Sequence, residues 1–294
     1  MKYEFMKNHE GEFHIEKMAR VLQVSRSGYY DWRDREPSRR GQNDERLLKE
    51  IRELYLGAKR VYGAKKITQK LNQRREKKVN HKRVERLMRG AGMYSKVVKK
   101  YAATTNSKHG EETAPNLLER NFAADRPNQK MVSDTTYLWT KEGWLYAAAI
   151  MDLCGRKIVG LAVSEKNDHQ LVLAALEDAA NRIGKKKLKG CILHSDRGST
   201  YSSKAYREKM EENKMICSMS RKGDCWDNAP IESFWGKMKL EWLDEVCRTR
   251  EEAKEKVYEY VFIFYNRQRP HASNGYLTPD AYCSAKSKSR PSGQ

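Results

Sequence analysis

Hydrophobic residues recur at helical spacing through the first third of the chain. Between residues 14 and 32 they predict a helix, a turn and a second helix, for which Ser25 is the expected N-cap. This arrangement resembles half of a helix-turn-helix, but any small helical hairpin has the same pattern. A second helical unit is predicted over residues 43–93, where apolar stripes lie on either side of a turn at Tyr62 and Gly63.

The pattern changes after a stretch with little periodicity. Residues 94–125 contain lysines, threonines, Gly110 and Pro115, a composition that predicts a linker. Three short apolar runs follow and predict a three-stranded meander with tight turns, over residues 130–139, 143–152 and 156–164. The elements predicted after the meander are a helix at 168–182, a strand at 190–195, a helix at 203–213, a strand at 215–219 and two helices at 228–244 and 250–267.

Three strands followed by alternating helices and strands predict an α/β layered domain with a mixed five-stranded sheet. We therefore divide the chain into four parts. These are a helical, helix-turn-helix-like region at 1–93, the linker at 94–125, an α/β core at 126–285 and a basic tail at 286–294. The end of the chain is rich in lysine and serine, and it is expected to be frayed from Ser284.

The chain is strongly basic, with 59 Lys and Arg against 39 Asp and Glu and a net charge of +20. This charge predicts a nucleic-acid partner, because each cation placed on a phosphate releases condensed counterions. A merely soluble basic protein, or one that binds an anionic membrane, would have the same composition. The cations between residues 74 and 89 have few acids among them, which favours phosphate contacts over a solvated face. They include Lys82, Arg83 and Arg86.

The six cysteines show no CxxC pair and no spacing with histidine that suits zinc. They are typical of the reduced thiols of a cytosolic protein. The N-terminus has no signal-peptide pattern, and the longest apolar stretch, around residues 145–151, is too short to span a bilayer. We therefore expect a cytoplasmic protein with access to DNA and no membrane partner.

Three acids stand at the ends of predicted elements. Asp134 lies on the first strand, Asp196 directly follows the fourth, and Glu232 lies in the first turns of the next helix. Phosphodiester chemistry requires neutralisation of an anionic transition state and an activated oxygen nucleophile, and two hard cations held by carboxylates provide both. Lys239 follows Glu232 by seven residues, nearly two helical turns, so both point from one helix face. Lys237 lies off that face and is the weaker candidate.

Spacing alone does not decide this interpretation, because the chain has 39 acids. Asp134 and Asp196 would also suit turn and strand-end positions, and an acid such as Glu232 is favoured near a helix N-terminus. Asp152 also lies at a strand end but has apolar neighbours, and we treat it as a decoy. Asp224 and Asp227 are interpreted as loop and N-cap residues.

Four motifs in order make the match more specific. The first two are Asp134-Thr135-Thr136-Tyr137 and the segment at 194–198, and the others lie at 223–235 and 265–271. Together they resemble the second-reading-frame product of transposases in the insertion-sequence-three family. The resemblance covers nearly the whole chain and implies a ribonuclease H-like DDE integrase core, similar to that of retroviral integrases.

The resemblance implies roles for particular residues. Asp134, Asp196 and Glu232 match the metal-binding catalytic triad, with two Mg²⁺ ions for which Mn²⁺ is expected to substitute. Lys239 matches the basic residue that follows the glutamate. Residues with expected DNA contacts are Lys239, Arg269, His271, Lys82, Arg83 and Arg86. For the motif that contains Arg269 and His271, packing or DNA positioning is favoured over direct catalysis.

The implied activity is cleavage and joining of 3′ strand ends at terminal inverted repeats, in the nucleoid of a prokaryotic cytoplasm. The implied partners are double-stranded DNA of the element ends and target, and further copies of the chain in a synaptic complex. The family's first-frame product, with its helix-turn-helix and leucine zipper, is not evident. A need for that product or for a frameshifted fusion is therefore left open.

The sequence departs from the family pattern at Met131, where tryptophan is frequent, and at Asn274, where leucine is common. Neither change affects the carboxylates, and the chain has no zinc module like that of retroviral integrases. Two alternatives stay open. One is a non-catalytic DNA-binding repressor from a decayed element, which the presence of all three acids disfavours. The other is a ribonuclease H-like nuclease without strand transfer, which only a joining assay would distinguish.

Overall fold

The computed structural model describes residues 1–36, 38–96, 114–221 and 225–288. The helices of the first part are α1 (Lys2–Asn8), α2 (Ile15–Val21), α3 (Arg26–Asp34), α4 (Arg39–Gly57), α5 (Ala64–Gln73) and α6 (His81–Gly90). The strands are β1 (Lys130–Thr140), β2 (Gly143–Asp152), β3 (Lys157–Ser164), β4 (Ile192–Ser195) and β5 (Ile216–Met219). The later helices are α7 (His169–Ile183), α8 (Lys185–Leu188), α9 (Ser199–Ser202), α10 (Lys204–Glu212), α11 (Ala229–Trp242), α12 (Arg250–Tyr258) and α13 (Pro279–Lys288).

Helices α1 to α3 pack around a small core of their own, formed by Met6, Met18, Ala19 and Tyr29. The helix–turn–helix predicted at residues 14–32 is present as α2 and α3, and the Ser25 hydroxyl caps α3 by accepting from the Gly28 N–H at 3.2 Å. Helix α1 was not predicted, since Met6 is its one buried side chain. One buried residue does not make a periodic pattern.

Helices α4 to α6 form a second bundle, in the region predicted to be helical at residues 43–93. Their buried side chains are Leu47, Ile51 and Tyr55 on α4, Ile67, Thr68 and Leu71 on α5, and Val84 and Met88 on α6. The Asn80 side chain caps α6 by accepting from the Lys82 N–H at 2.9 Å. The core of this bundle is continuous with the core on one face of the sheet. The bundle therefore packs directly on the α/β part of the chain.

The five strands form one mixed sheet in the order β3-β2-β1-β4-β5. Strands β1 to β3 are an antiparallel meander, as predicted, and β4 pairs in parallel with both β1 and β5. Helix α7 packs on β2 and β3 over one face, while α11 and α12 share a core with the other. Gly160 lets α7 approach, because a Cβ there would lie 2.3 Å from the Ala175 carbonyl oxygen. The arrangement is the ribonuclease H-like fold that the sequence predicts.

The C-terminal part differs from the prediction in two places. The single helix predicted at 250–267 is α12 followed by a π-helical segment, Glu259–Tyr265. The prediction of fraying from Ser284 is wrong for residues 284–288, because α13 continues through Lys288. Cys283 anchors α13 against Gly155, where a Cβ would meet the thiol sulfur at 2.4 Å. Within the described ranges, no helix combines the length and apolar character needed to cross a membrane.

Candidate active site

The first two acids stand at the same level of the sheet. Val132 of β1 pairs with His194 of β4, and Asp134 and Asp196 each lie two residues further along. Side chains two residues apart on a strand project to the same face, and parallel neighbours advance together. The backbone register therefore brings the two carboxylates to adjacent positions, just where β4 ends.

The third acid is brought in by the start of α11. The Asn228 side-chain amide donates to the carbonyl oxygen of Ser133 at 2.9 Å, beside Asp134 on β1. Glu232 follows four residues later, about one helical turn. Pro230 favours helix initiation there, because its missing N–H has no partner to lose in a first turn. A strand, a strand end and a helix start thus converge.

The three carboxylates act on each other electrostatically. Burial raises the pKa of Asp134 well above its usual value, and the charges of Asp196 and Glu232 raise it further. Burial and Asp196 also raise the pKa of Glu232. Neighbouring like charges disfavour each other's ionised form, so the two shifts share an electrostatic cause. The site therefore concentrates negative charge that a cation would neutralise.

The donor set fits a hard divalent cation, since carboxylate oxygens are the ligands that Mg²⁺ takes from proteins. The side chains are nevertheless not in ligand geometry. Over the four described ranges, no group of three or more histidine, cysteine or acidic side chains is close enough to be a ready metal site.

The end of β4 is held by neighbouring polar groups. The Gly198 N–H donates to the Asp196 carboxylate at 2.9 Å. His194 is fully buried, with its ring nitrogens 2.8 Å from the Ser218 hydroxyl and 3.1 Å from that of Ser220. These bonds tie β4 to β5 and to the segment after it. They fix the backbone from which Asp196 projects.

Lys239 lies at the same site. Its ammonium nitrogen is 4.6 Å from the ring centroid of Tyr137, three residues beyond Asp134 on β1. Burial lowers the pKa of Lys239, and the charge of Asp134 acts in the opposite direction. Tyr137 is 44% exposed and contacts Trp144 edge-on. A cation and an exposed aromatic surface therefore border the acids.

The other residues with expected DNA contacts are placed differently. Arg269 is in the interior, 6% exposed, where its guanidinium bonds both oxygens of Glu241 on α11. Burial in this ion pair argues for a packing role, and the DNA contact expected of Arg269 stays a prediction. His271 is partly buried, with Nδ1 2.7 Å from the Ser273 hydroxyl.

The basic side chains of α6 are at the surface. Lys82 and Arg86 are exposed, and Arg83 is partly so. Both arginines bond the carboxylate of Asp44 on α4, and the pKa of Asp44 is accordingly lowered. Two cations share one acid here, so the surface keeps a positive excess.

Asp227 is not the helix cap that the sequence suggested. Asn228 has the N-cap position of α11, and Asp227 is fully buried. Its carboxylate accepts from Asn116 at 2.8 Å, from Arg120 at 2.9 Å and from the Arg221 N–H at 3.0 Å. Two of these partners are more than 100 residues away, and spacing along the chain gives no signal for them. Asp224 lies outside the described residues.

Asp152, treated as a decoy, has a structural role. It is buried at the end of β2, and its carboxylate accepts from the N–H groups of Asn128 at 2.7 Å and Cys154 at 2.8 Å. Burial raises its pKa to about 6. Asp152 therefore joins the end of β2 to the backbone of both neighbouring loops, which is a structural role.

Sequence comparisons agree with this architecture. Integrase core domain models match residues 124–225 and 213–279, and an HTH-like domain model matches residues 42–101. The transposase InsF for insertion sequence IS3A of Escherichia coli (strain K12) is 37% identical over 285 residues, which cover 96% of this chain and 98% of that protein. This chain belongs to the IS3 transposase family. The IS3-family chain is thus a DDE transposase, a polynucleotidyl transferase.

A second relative in this family is the insertion element IS600 uncharacterized 31 kDa protein of Shigella sonnei. It is 43% identical over 266 residues, 90% of this chain and 97% of that protein. The HTH-like match falls on α4 to α6, and not on residues 14–32, where the sequence pattern resembled half of such a motif. The HTH-like module of the IS3-family transposase is therefore the bundle packed on the core.

Among solved structures, an intasome of simian T-cell lymphotropic virus in complex with PP2A regulatory subunit B56 gamma has a TM-score of 0.47 at 10% identity. The match covers 64% of this chain and 63% of the intasome chain. The HTLV-2 integrase catalytic core domain in complex with magnesium (trimeric form) has a TM-score of 0.41 at 14% identity, covering 53% and 97%. The family assignment rests on the sequence relatives.

Proposed function

We propose that this transposase cleaves and joins DNA 3′ ends with Asp134, Asp196 and Glu232 as the ligands of two Mg²⁺ ions. The observation that carries the proposal is the pairing of Val132 with His194, which sets Asp134 and Asp196 side by side, together with the Asn228 bond to Ser133, which brings the start of α11 to them. When bound, the ions supply charge neutralisation at the phosphate and a more acidic attacking oxygen, and Mn²⁺ is expected to serve as well.

The protein groups around the acids have complementary tasks. Asp134 and Asp196 would provide metal ligands from β1 and the end of β4, and Glu232 would provide a third ligand from α11. Lys239 lies beside Tyr137 at the rim of the site, where its ammonium group would hold a backbone phosphate of the DNA end. The HTH-like bundle offers Lys82 and its neighbours on α6 to the duplex further away.

The proposal extends to the assembly. Joining both ends of an element requires two active sites close together, so we propose that copies of the chain act in a synaptic complex on terminal inverted repeats and target DNA. A first-frame product or a frameshifted fusion would add end recognition. The complex would be found on the nucleoid.

The decisive experiment compares wild type, Asp196→Asn and a control, Asp31→Asn, which removes an exposed acid on α3. The substrates are duplexes carrying the terminal repeats, intact or pre-nicked, with Mg²⁺, Mn²⁺ or chelator. We expect Asp196→Asn to reduce cleavage and joining to background while DNA binding in a gel-shift assay is unchanged. The loss of a carboxylate ligand should also remove the Mg²⁺-dependent rise in melting temperature.

The same assay separates the alternatives. A non-catalytic repressor would bind the duplex equally with metal or chelator and would leave both strands intact. A nuclease without strand transfer would cleave but would not join the pre-nicked 3′ end. Nicking retained by Asp196→Asn would show that the assigned acid is not needed.

A further inference from the structure

Three cationic side chains and one histidine, from four separate segments, act on one another on the flank of α11 away from Glu232 and Lys239. We call them the cationic cluster: Lys66 of α5, Arg156 of the β2–β3 turn, Lys237 of α11 and His271 after the π-helical segment. At 100° per residue, Lys237 lies about 140° around the helix from Glu232. The cluster is therefore separate from the acids and from Lys239.

Specific contacts bring these segments together. The Tyr62 hydroxyl donates to the carbonyl oxygen of Gln268 at 2.9 Å, and its ring stacks on Phe264 at 5.9 Å. The Lys66 ammonium nitrogen is 5.6 Å from the centroid of the Tyr62 ring. The start of α5 is thereby fixed against the segment that leads to His271, whose ring is 6.3 Å from that of Tyr265.

The cluster has an excess of positive charge. Among the described residues, Glu241 is the acid whose charge acts on Lys66 and Lys237, and both its oxygens already accept from Arg269. Burial lowers the pKa of Lys66 to about 8, and the charges of Arg269 and Lys237 contribute. Burial and the neighbouring cations lower the pKa of His271 to about 4. His271 is therefore neutral near pH 7, and Lys66, Arg156 and Lys237 supply the positive charge that a bound anion would offset.

Arg156 provides an independent sign of a ligand. Its Nη1 nitrogen is buried and has no hydrogen-bond partner within the described part of the chain. Buried donors are normally satisfied, and one left without an acceptor calls for an explanation. Arg156 also has a φ of 57°, in the left-handed region that non-glycine residues seldom adopt. The turn therefore keeps this guanidinium in place despite its unpaired buried donor and its left-handed backbone conformation.

We propose that Lys66, Arg156, Lys237 and His271 bind a backbone phosphate of the transposase's DNA at a site separate from the reacting acids. The DNA origin of the phosphate rests on the proposed function. Lys66 belongs to the HTH-like bundle, while Lys237 and Glu232 share α11. A phosphate bound between them would therefore link the docked bundle to the catalytic helix.

The test is a double variant, Lys66→Ala with Lys237→Ala, compared with Lys65→Ala with Lys187→Ala. The control removes the same charge from two exposed lysines of α5 and α8. Affinity for terminal-repeat and unrelated duplexes is measured in chelator over a range of salt concentrations. Loss of one phosphate contact should weaken binding to both duplexes on the order of tenfold and reduce the salt slope by about 1. In the control variant, the affinity and the salt slope should change only as much as the loss of two exposed charges requires.

An arginine version, Lys66→Arg with Lys237→Arg, keeps the charge and should retain affinity, which separates charge loss from misfolding. Equal affinity and slope in the alanine variant and the control would overturn the proposal. So would a variant that loses thermal stabilisation by inorganic phosphate but binds duplex normally, since the site would then take a free anion. Binding is measured in chelator and does not depend on cleavage. If the wild type failed to cleave DNA in the metal-dependent assay, the proposed function would be refuted, but the binding result would still test the phosphate site.

Discussion

Replacing Arg269 with methionine would leave the carboxylate of Glu241 in the interior without its cation. Both side chains are 6% exposed, and the Arg269 Nε donates to Glu241 at 2.8 Å. The Tyr260 hydroxyl donates to the same carboxylate at 2.8 Å. Burial acts to raise the pKa of Glu241, but the bonds from Arg269 more than offset it and keep the pKa below the usual value.

Removal of one partner from a buried ion pair costs about 3–5 kcal/mol, because the other charge stays desolvated. At about 2–4 °C per kcal/mol for a chain of this size, Arg269→Met should lower the melting temperature by about 6–20 °C. The double variant Arg269→Met, Glu241→Leu removes both charges and should recover most of the loss. Arg267→Met is the matched control, since the Arg267 side chain is 72% exposed.

The measurement is thermal unfolding followed by near-ultraviolet circular dichroism, with DNA affinity determined well below the transition. If Arg269→Met melts like wild type but loses DNA affinity, the ion pair is not structural and the arginine contacts DNA, as the sequence alone suggested. A double variant no more stable than Arg269→Met would also contradict the reasoning, because the cost would not then come from the stranded charge.

Two further predictions follow from the site. Lys239→Ala should weaken binding of a terminal DNA end several-fold and flatten its salt dependence, because about one phosphate contact is lost. If its affinity equals that of Lys187→Ala, Lys239 does not contact the DNA. Burial acts against the charge of Asp227, but Arg221 and Arg120 outweigh it and lower its pKa from 3.8 to about 2. The folded pKa is thus below the unfolded one, so the ionised carboxylate stabilises the fold above pH 4 by about 2 kcal/mol, and this is lost as the pH falls from 4 to 2. In denaturant titrations, Asp227→Asn should lack that step, and an unchanged acid profile would contradict the assignment.

The sheet was predictable because its strands are long apolar runs bounded by turns. The bounds predicted for β1 to β3 agree with the structure to within one residue, and those for β4 and β5 to within two. Asp196 follows a strand and Glu232 lies near the start of a helix, whereas Asp134 lies within β1, so the motifs around them were needed to single out all three. Their convergence required the register between Val132 and His194, which no local pattern contains.

The features that the sequence did not reveal have a common physical origin in contacts between distant parts of the chain. Arg269 is a basic residue in a motif near the C-terminus, and only the fold places it over Glu241. Asp227 looked like a cap because caps are local, whereas its partners Asn116 and Arg120 come from a segment with no periodicity. Spacing along the chain gives no signal for either set, since 28 residues separate Arg269 from Glu241 and more than 100 separate Asp227 from Asn116 and Arg120.

The π-helical turn after α12 has a consequence for how this protein can change over evolutionary time. A π turn contains one more residue than an α turn, so it shifts the helical phase of every residue that follows it. Deletion of one residue there would restore a regular α-helix but rotate everything downstream by about 100°. Asn266, which bonds both backbone groups of Ile158, and Arg269 would then lose their partners together. The contacts of Asn266 and Arg269 therefore restrict changes in the length of this segment.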